Sequence, residues 1–164
     1  MSSNPLEGTW SLVLAITKTA SGEITHPYGK NAIGYLIYSH GGYMAVAIMQ
    51  PDRPNFASAD FRAGNPEERA TAFNTYVSYS GTYEIKGEIH HIELSQFPNW
   101  SGTDQERFFE LSGDQLALRT APLAVEGVER TGHLIWHRAL PRQLPLSRDS
   151  GSVAIVRRRV RADS

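Results

Sequence analysis

The chain has 164 residues, of which 40% are hydrophobic and 20% are charged, as in an ordinary globular protein of one domain. The formal net charge of −1 provides no basic field, so we expect neither nucleic acid nor a membrane surface as a partner. Cysteine is absent, which excludes disulfides and thiolate chemistry. The first residues show no signal-peptide pattern and no stretch approaches the roughly 20 apolar residues of a membrane helix, so we expect a cytoplasmic protein.

Alternation of apolar and polar residues with a period of two dominates the chain and predicts half-buried strands. In the first run, from Gly8 to Thr17, one face carries Trp10, Leu12, Leu14 and Ile16. Further short apolar runs bring the number of predicted strands to eight. Their ranges are 8–17, 33–38, 43–49, 79–85, 88–95, 105–111, 115–120 and 133–138.

Short connections rich in turn residues join several of these strands. Residues 39–42, 86–87 and 112–114 each have the composition of a hairpin turn. Sequential hairpins give a meander, and eight meandering strands lose their exposed edges most completely by closing into a barrel. We therefore predict an all-β fold, an eight-stranded antiparallel barrel, with an open sheet or a sandwich as the alternative.

Residues 50–78 interrupt the strand pattern with prolines, glycines and a short helical stretch. Asn65 is placed as an N-cap, Pro66 at the first helical position, and Glu68 where it would complete a capping box. These signals predict a helix over residues 66–77. We interpret the segment as a lid or plug over one barrel mouth; the alternative is a surface helix packed against the barrel wall.

The composition changes after Arg138, which predicts a barrel domain over residues 6–139 and a C-terminal extension over 140–164. The extension begins with a proline-containing linker at 140–145. Residues 153–156 are apolar and could add a strand, and the arginines that follow form a basic end. Short basic runs of this kind are usually solvated tails, and we make no binding prediction for this one.

Several motifs in a fixed order resemble those of the lipocalin-like domain proteins of bacteria and fungi. The matching stretches are Gly8-Thr9-Trp10, residues 34–38, 42–44, 51–54, 79–83, 97–100 and 102–107, and Trp136-His137-Arg138. The resemblance spans residues 6 to about 138. It implies an eight-stranded calycin barrel with a ligand cavity. It also implies that Trp10 and Arg138 close the barrel structurally, with the guanidinium on the indole face.

Four polar side chains are predicted to converge inside the barrel if charged residues mark its outer face. They are Tyr79, Tyr83, His90 and Arg107. Arginine and histidine are rarely buried unless paired or used, and this set suits acid–base chemistry without a cofactor. Arg107 would hold an oxyanion or carboxylate and His90 would shuttle a proton. A buried polar network that is only structural is the alternative.

We expect the rest of the cavity to be apolar and to bind a hydrophobic small molecule. The predicted lining consists of Leu12, Leu14, Tyr35, Met44, Ile92, Phe109, Leu116, Leu118 and Trp136. Because related barrels occur in secondary metabolism as cyclases and isomerases, the resemblance implies an isomerase or cyclase acting on an apolar carbonyl compound. A non-catalytic carrier of a hydrophobic molecule is the alternative, in a monomer or a homodimer.

No cofactor or metal is implied by the sequence. His90 and His91 are adjacent and therefore point to opposite faces of a strand, while His133 and His137 lie about 13 Å apart at strand rise. Neither pair makes a chelate of the usual spacing. A glycine-rich phosphate loop and a nucleophile elbow are also missing.

Overall fold

The computed structural model describes residues 4–86 and 88–142, which form ten strands and one short α-helix. The first five strands are β1 (Gly8–Lys18), β2 (Ile24–Thr25), β3 (Ile33–Tyr38), β4 (Tyr43–Met49) and β5 (Tyr76–Glu84). The others are β6 (Ile89–Ser95), β7 (Thr103–Ser112), β8 (Gln115–Thr120), β9 (Leu123–Val125) and β10 (Val128–Arg138). Helix α1 (Pro66–Asn74) precedes β5, and a 3₁₀ turn (Pro98–Trp100) follows β6.

The strands form one closed antiparallel sheet. Their order is β2-β1-β3-β4-β5-β6-β7-β8-β10-β9, and the additional pairing of β1 with β10 closes the barrel. The eight long strands confirm the predicted barrel and its sequential order. The two additional strands, β2 and β9, were not predicted, because elements of two and three residues are too short to show alternation. Within the described residues the sheet is closed, which rules out the alternatives of an open sheet and a sandwich.

Two β-bulges reverse the inward and outward faces of their strands. In β1 the register slips at Val13, so that Leu12 pairs with Trp136 but Leu14 pairs with Ile135, on the outer face. In β6 the slip at Glu93 likewise turns Leu94 outward, where its exposure is 70%. The prediction that Leu14 lines the cavity was therefore wrong. Ala15 is buried in place of Leu14.

Tyr35 was also wrongly assigned to the cavity. On β3 the inward residues are Gly34, Leu36 and Tyr38, and Tyr35 is 51% exposed on the outer face. Both faces of this strand are apolar, since Ile33 and Ile37 accompany Tyr35 on the outside. No polar residue marked the solvent side of the strand.

The remaining predicted lining residues do face the barrel interior. Among the core residues are Met44, Ile92, Leu116, Leu118 and Trp136, all buried, with Leu12 and Phe109 packed against them. Trp10 and Trp136 are the largest fully buried side chains. The interior is therefore largely filled by its own side chains.

The barrel is sealed at the end where β1 begins, hereafter the Trp10 end. Arg138 lies over the Trp10 indole, 4.2 Å from its centroid, as predicted. The same guanidinium donates to the carbonyls of Glu7 and Pro5 at 2.9 and 3.1 Å. Leu6 is buried, and its carbonyl accepts a hydrogen bond from the Trp10 indole. The segment before β1 thus forms the floor of the barrel.

Helix α1 has the predicted start but a different end and position. Asn65 and Glu68 form the capping box, with Pro66 in the first turn, and the helix ends at Asn74 because the chain enters β5 at Tyr76. None of its residues is buried, and it contacts the start of β5. This arrangement corresponds to the alternative of a surface helix against the barrel wall.

Little of the C-terminal extension is described by the structure. The predicted strand at 153–156 and the basic end lie outside the described residues, and the division into 6–139 and 140–164 stays a prediction. In the described part of the chain, no helix is long and apolar enough to cross a membrane.

Candidate functional site

His90 and Arg107 lie inside the barrel on the neighbouring strands β6 and β7. His90 is 3% exposed and Arg107 is 7% exposed. The register places Gln105 opposite His90 and Thr120 opposite Arg107. Charged residues at the alternate positions, Glu106 and Glu110, face outward, so the pattern that predicted the orientation of β7 is confirmed.

His90 is a neutral, buried imidazole. Its Nε2 atom lies 2.8 Å from the Tyr38 hydroxyl, while Nδ1 has no hydrogen-bond partner among the described residues. Burial, reinforced by the nearby Arg107 guanidinium, lowers the pKa of His90 to about 3. The side chain therefore carries no charge at neutral pH.

Tyr38 joins His90 in an aromatic cluster that the sequence analysis did not single out. Its ring is 4.6 Å from that of Tyr83 and 5.7 Å from the His90 ring, measured between centroids. Burial is the main cause that raises the pKa of Tyr38 far above its ordinary value, so the hydroxyl stays protonated. Tyr38 lies two residues after Leu36 on β3. If Leu36 had been assigned to the inner face, the period-two pattern would have placed Tyr38 there as well.

Arg107 is a buried cation without a carboxylate partner. No carboxylate oxygen of the described residues lies within 4.0 Å of its guanidinium. Its hydrogen bonds go instead to neutral acceptors: the Glu106 carbonyl at 2.8 Å, the Tyr79 hydroxyl at 3.3 Å and the side-chain oxygen of Gln105. Burying a charge without an opposite charge is costly, which makes Arg107 a candidate to meet an anionic or strongly accepting ligand.

The two predicted tyrosines occupy different surroundings. Tyr79 belongs to the site, because it contacts Arg107 and its ring packs edge-on against Trp100 at 5.8 Å between centroids. The Tyr83 hydroxyl donates to the Ser39 carbonyl at 3.1 Å and accepts from the Asn4 side chain. Tyr83 therefore ties down the Trp10 end of the barrel, and its polar atom is committed there.

Two spaces adjoin Arg107. The first is a cavity of about 10 Å³ beside His90 and Tyr38, with barely room for a single water molecule. The second is a depression of about 440 Å³ in the barrel wall, hereafter the Arg107 depression. It is lined by Ile89, Trp100, Asp104, Gln105, Glu106, Arg107, Ala121, Pro122 and Leu123. Its volume falls in the range of small-molecule sites, and Arg107 is among its lining residues, so it is the candidate ligand site.

A second inward-facing arginine, partly buried near this depression, was missed by the sequence analysis. Arg130 shares the inward face of β10 with Trp136, and its strand partner Leu123 lines the depression. Its Nη2 atom donates to a Glu23 carboxylate oxygen at 3.2 Å, but Nη1 is buried without a partner among the described residues. Counting back from Trp136 by twos along β10 would have predicted its orientation.

His91 faces the outer surface, opposite to His90, as expected for adjacent strand residues. Its two ring nitrogens contact Asp104 at 2.6 Å and Glu84 at 2.9 Å. These bonds, that to Asp104 first, raise the pKa of His91. Within residues 4–86 and 88–142, no three His, Asp or Glu side chains are placed to hold a metal ion.

A family model described as the lipocalin-like domain matches residues 7–139, which is most of the chain. This protein belongs to the lipocalin-like domain family.

One relative is named for what it carries. A protein of Aspergillus oryzae called the 4'-hydroxy-3'-methoxypropiophenone carrier protein is 37% identical over 110 residues. The matched region covers 60% of this chain and 98% of that protein. The family and this relative support small-molecule binding as the general function of the barrel.

Proposed function

We propose that this protein is a carrier that binds a small, largely apolar aromatic molecule in the Arg107 depression and does not transform it. The observation that carries the proposal is the buried Arg107 guanidinium with no carboxylate partner in the described residues. Such a group donates a charge-assisted hydrogen bond to a ligand oxygen, either a carbonyl or a phenolate. Trp100 and Leu123 supply aromatic and apolar walls for the ring.

The name of the relative's cargo describes a molecule of this chemistry. It contains an aromatic ring with a hydroxyl and a methoxy group and, on the opposite side, a ketone. Arg107 would orient such a ring by one of its oxygens, beside the apolar surfaces of Trp100 and Leu123. This comparison supports an aromatic ketone or phenol as the ligand class for the present protein.

Binding without turnover is favoured over the isomerase or cyclase alternative by the state of His90. A general base works best when its pKa is near the operating pH. The pKa of His90 is lowered to about 3, and its Nε2 atom is occupied by Tyr38. His90 is therefore poorly suited as the proton shuttle that the enzymatic alternative requires. A cytoplasmic location and the oligomeric state stay predictions.

The proposal is tested by titrating the protein with 4'-hydroxy-3'-methoxypropiophenone in a calorimeter. Replacing Arg107 by Met leaves an unbranched, apolar side chain in its place and removes the charge. A hydrogen bond to a charged group is worth about 1.5–3 kcal/mol, so Arg107→Met should weaken binding by about 10- to 100-fold. Arg119→Met is the matched control, because Arg119 is exposed on the neighbouring strand β8. This variant should bind the compound with the same affinity as the unaltered protein.

Chromatography of the ligand after prolonged incubation completes the test. We expect the compound to be recovered unchanged. An isomerised or cyclised product that disappears with His90→Gln would contradict the carrier function and support the enzymatic alternative. Failure of the unaltered protein to bind the compound, or equal affinity for Arg107→Met with a native circular dichroism spectrum, would contradict the role of Arg107.

A further inference from the structure

A separate apolar pocket lies in the side wall of the barrel between β1 and β3. These two strands pair only from Gly8–Ser11 to Tyr35–Tyr38. Beyond Ser11 the bulge at Val13 directs β1 toward β10 and β2, so the first residues of β3, Ile33 and Gly34, have no β1 partner. The strands therefore diverge and leave a gap in the wall.

The gap holds a pocket of about 350 Å³, hereafter the β1–β3 pocket. It is lined by Ser11, Leu12, Ile33, Gly34, Tyr35, Ala47, Ile48, Met49 and Tyr76. Leu12 and Ile48 belong to or pack on the barrel core and form the floor, while Tyr35 and Tyr76 are placed at the outer face. The Arg107 depression shares none of these residues and is built from strands on another side of the barrel.

The lining of the β1–β3 pocket is mostly apolar and contains no charged side chain. Its side-chain polar atoms are the hydroxyls of Ser11, Tyr35 and Tyr76. Arg53 lies near the rim, but its guanidinium stacks on the Tyr76 ring at 5.2 Å and donates to Thr75 and Ala72. Those contacts also hold the link between α1 and β5 in place, so the segment before β5 helps to position Tyr76 at the rim of the pocket.

We propose that the β1–β3 pocket is a second small-molecule site, specific for neutral aromatic ligands of one or two rings. Its volume is at the lower end of the range for ligand sites, and an apolar lining with a few hydroxyls is typical of such sites. A charged ligand would lose its hydration in this pocket without gaining an opposite charge, so it is disfavoured. The two sites thus differ in ligand charge: Arg107 favours an anionic or accepting group, and the β1–β3 pocket a neutral ring.

The test uses two dyes that share a ring system and differ by one charge. N-phenyl-1-naphthylamine is neutral, and 8-anilinonaphthalene-1-sulfonate carries a sulfonate; both fluoresce more strongly in apolar surroundings. The neutral dye should bind the unaltered protein at least about 10-fold more tightly at the β1–β3 pocket than the sulfonate does. Arg107→Met should leave binding of the neutral dye unchanged, which separates this inference from the proposed carrier function.

Two alanines on β4 provide the variant and its matched control. Ala47 and Ala45 both point to the outer face, but only Ala47 lines the β1–β3 pocket. Ala47→Leu should fill the pocket and weaken the neutral dye by 10-fold or more, whereas Ala45→Leu should not. Ser11→Leu fills the same space from the opposite wall and should reproduce the loss if Ala47→Leu disturbs folding.

Three results would overturn the inference. The first is unchanged affinity for the neutral dye in both Ala47→Leu and Ser11→Leu. The second is equal loss in Ala45→Leu, which would place the dye on the outer groove over β4 and β5 rather than in the pocket. The third is loss with Arg107→Met alone, which would place the dye at the carrier site and leave the proposed function intact.

Discussion

At the scale of single residues, two neighbouring buried side chains of the candidate site differ in charge state. His90 is kept neutral by burial, and its charged neighbour Arg107 makes protonation still less favourable. Both residues could be predicted from the sequence, because each alternates with outward carboxylates or polar residues along its strand. Tyr38 was missed because its neighbour Ile37 is apolar and gives no marker of the outer face, and Arg130 because the predicted strand began only at residue 133.

The lowered pKa of His90 predicts a pH dependence of stability. An unfolded chain binds a proton at His90 near pH 6.5, whereas the folded protein does so only near pH 3, so stability is complete above pH 6.5 and falls as the pH decreases toward 3. Between pH 6.5 and 5 the loss from this residue is about 1.5 kcal/mol. Urea unfolding of the unaltered protein and His90→Gln at both pH values measures the difference.

We expect the pH-dependent loss to be smaller in His90→Gln by about this amount. His137→Gln is the control, because His137 is exposed on β10. This variant should lose as much stability between pH 6.5 and 5 as the unaltered protein does. Parallel pH profiles for the unaltered protein and His90→Gln would contradict the assignment of a buried neutral imidazole.

At the scale of elements, the bulges decide which predictions succeed. The alternating pattern predicted β7 and β8 correctly because their ladders are uninterrupted. In β1 and β6 the pattern is equally regular in the sequence, yet one extra residue places Leu14 and Leu94 outside. A bulge depends on how two strands meet, and the strand's own alternation carries no sign of it. Tyr35 failed for another reason, since both faces of β3 are apolar.

The bulge in β6 lies opposite Gly81 on β5, and the close approach of the two strands there requires a residue without a side chain. A Cβ atom at this position would lie 1.9 Å from the His91 carbonyl oxygen, which is backbone and cannot turn away. Gly81→Ala should therefore separate β5 from β6 and lower the free energy of unfolding by more than about 2 kcal/mol. Gly41→Ala, where the nearest atom would be 3.8 Å away, should change it little. Urea unfolding of both variants checks this, and a small effect at Gly81 would show that the bulge can relax.

At the scale of the whole molecule, the barrel is held closed by the seam between its first and last strands. β1 and β10 form the most extensive strand pairing, and Arg138 fixes the segment before β1 to that seam. The closure was predictable because a meander of eight strands has two edges to hide. The position of residues 50–78 could not be predicted, because the capping signals specify where the helix starts but not where it lies on the barrel.

Replacing Arg138 by Ala should weaken the closure without affecting ligand binding. The change removes the stacking on Trp10, worth about 0.5–2 kcal/mol, together with two hydrogen bonds to backbone carbonyls. We expect a loss of about 2 kcal/mol or more in urea unfolding. The affinity for 4'-hydroxy-3'-methoxypropiophenone should stay the same, and Arg142→Ala, at an exposed position, should alter neither quantity. Lost binding with an unchanged unfolding midpoint would instead make Arg138 a ligand residue.

The closed sheet also governs what happens when the protein unfolds. Strand β4, Tyr43–Met49, is seven residues long, uncharged and free of proline, which is the composition of a segment prone to form intermolecular β-sheet. In the barrel both of its edges are paired, with β3 on one side and β5 on the other. Because this strand has no charge of its own to oppose self-association, its protection against aggregation lasts only as long as its two neighbours stay in place.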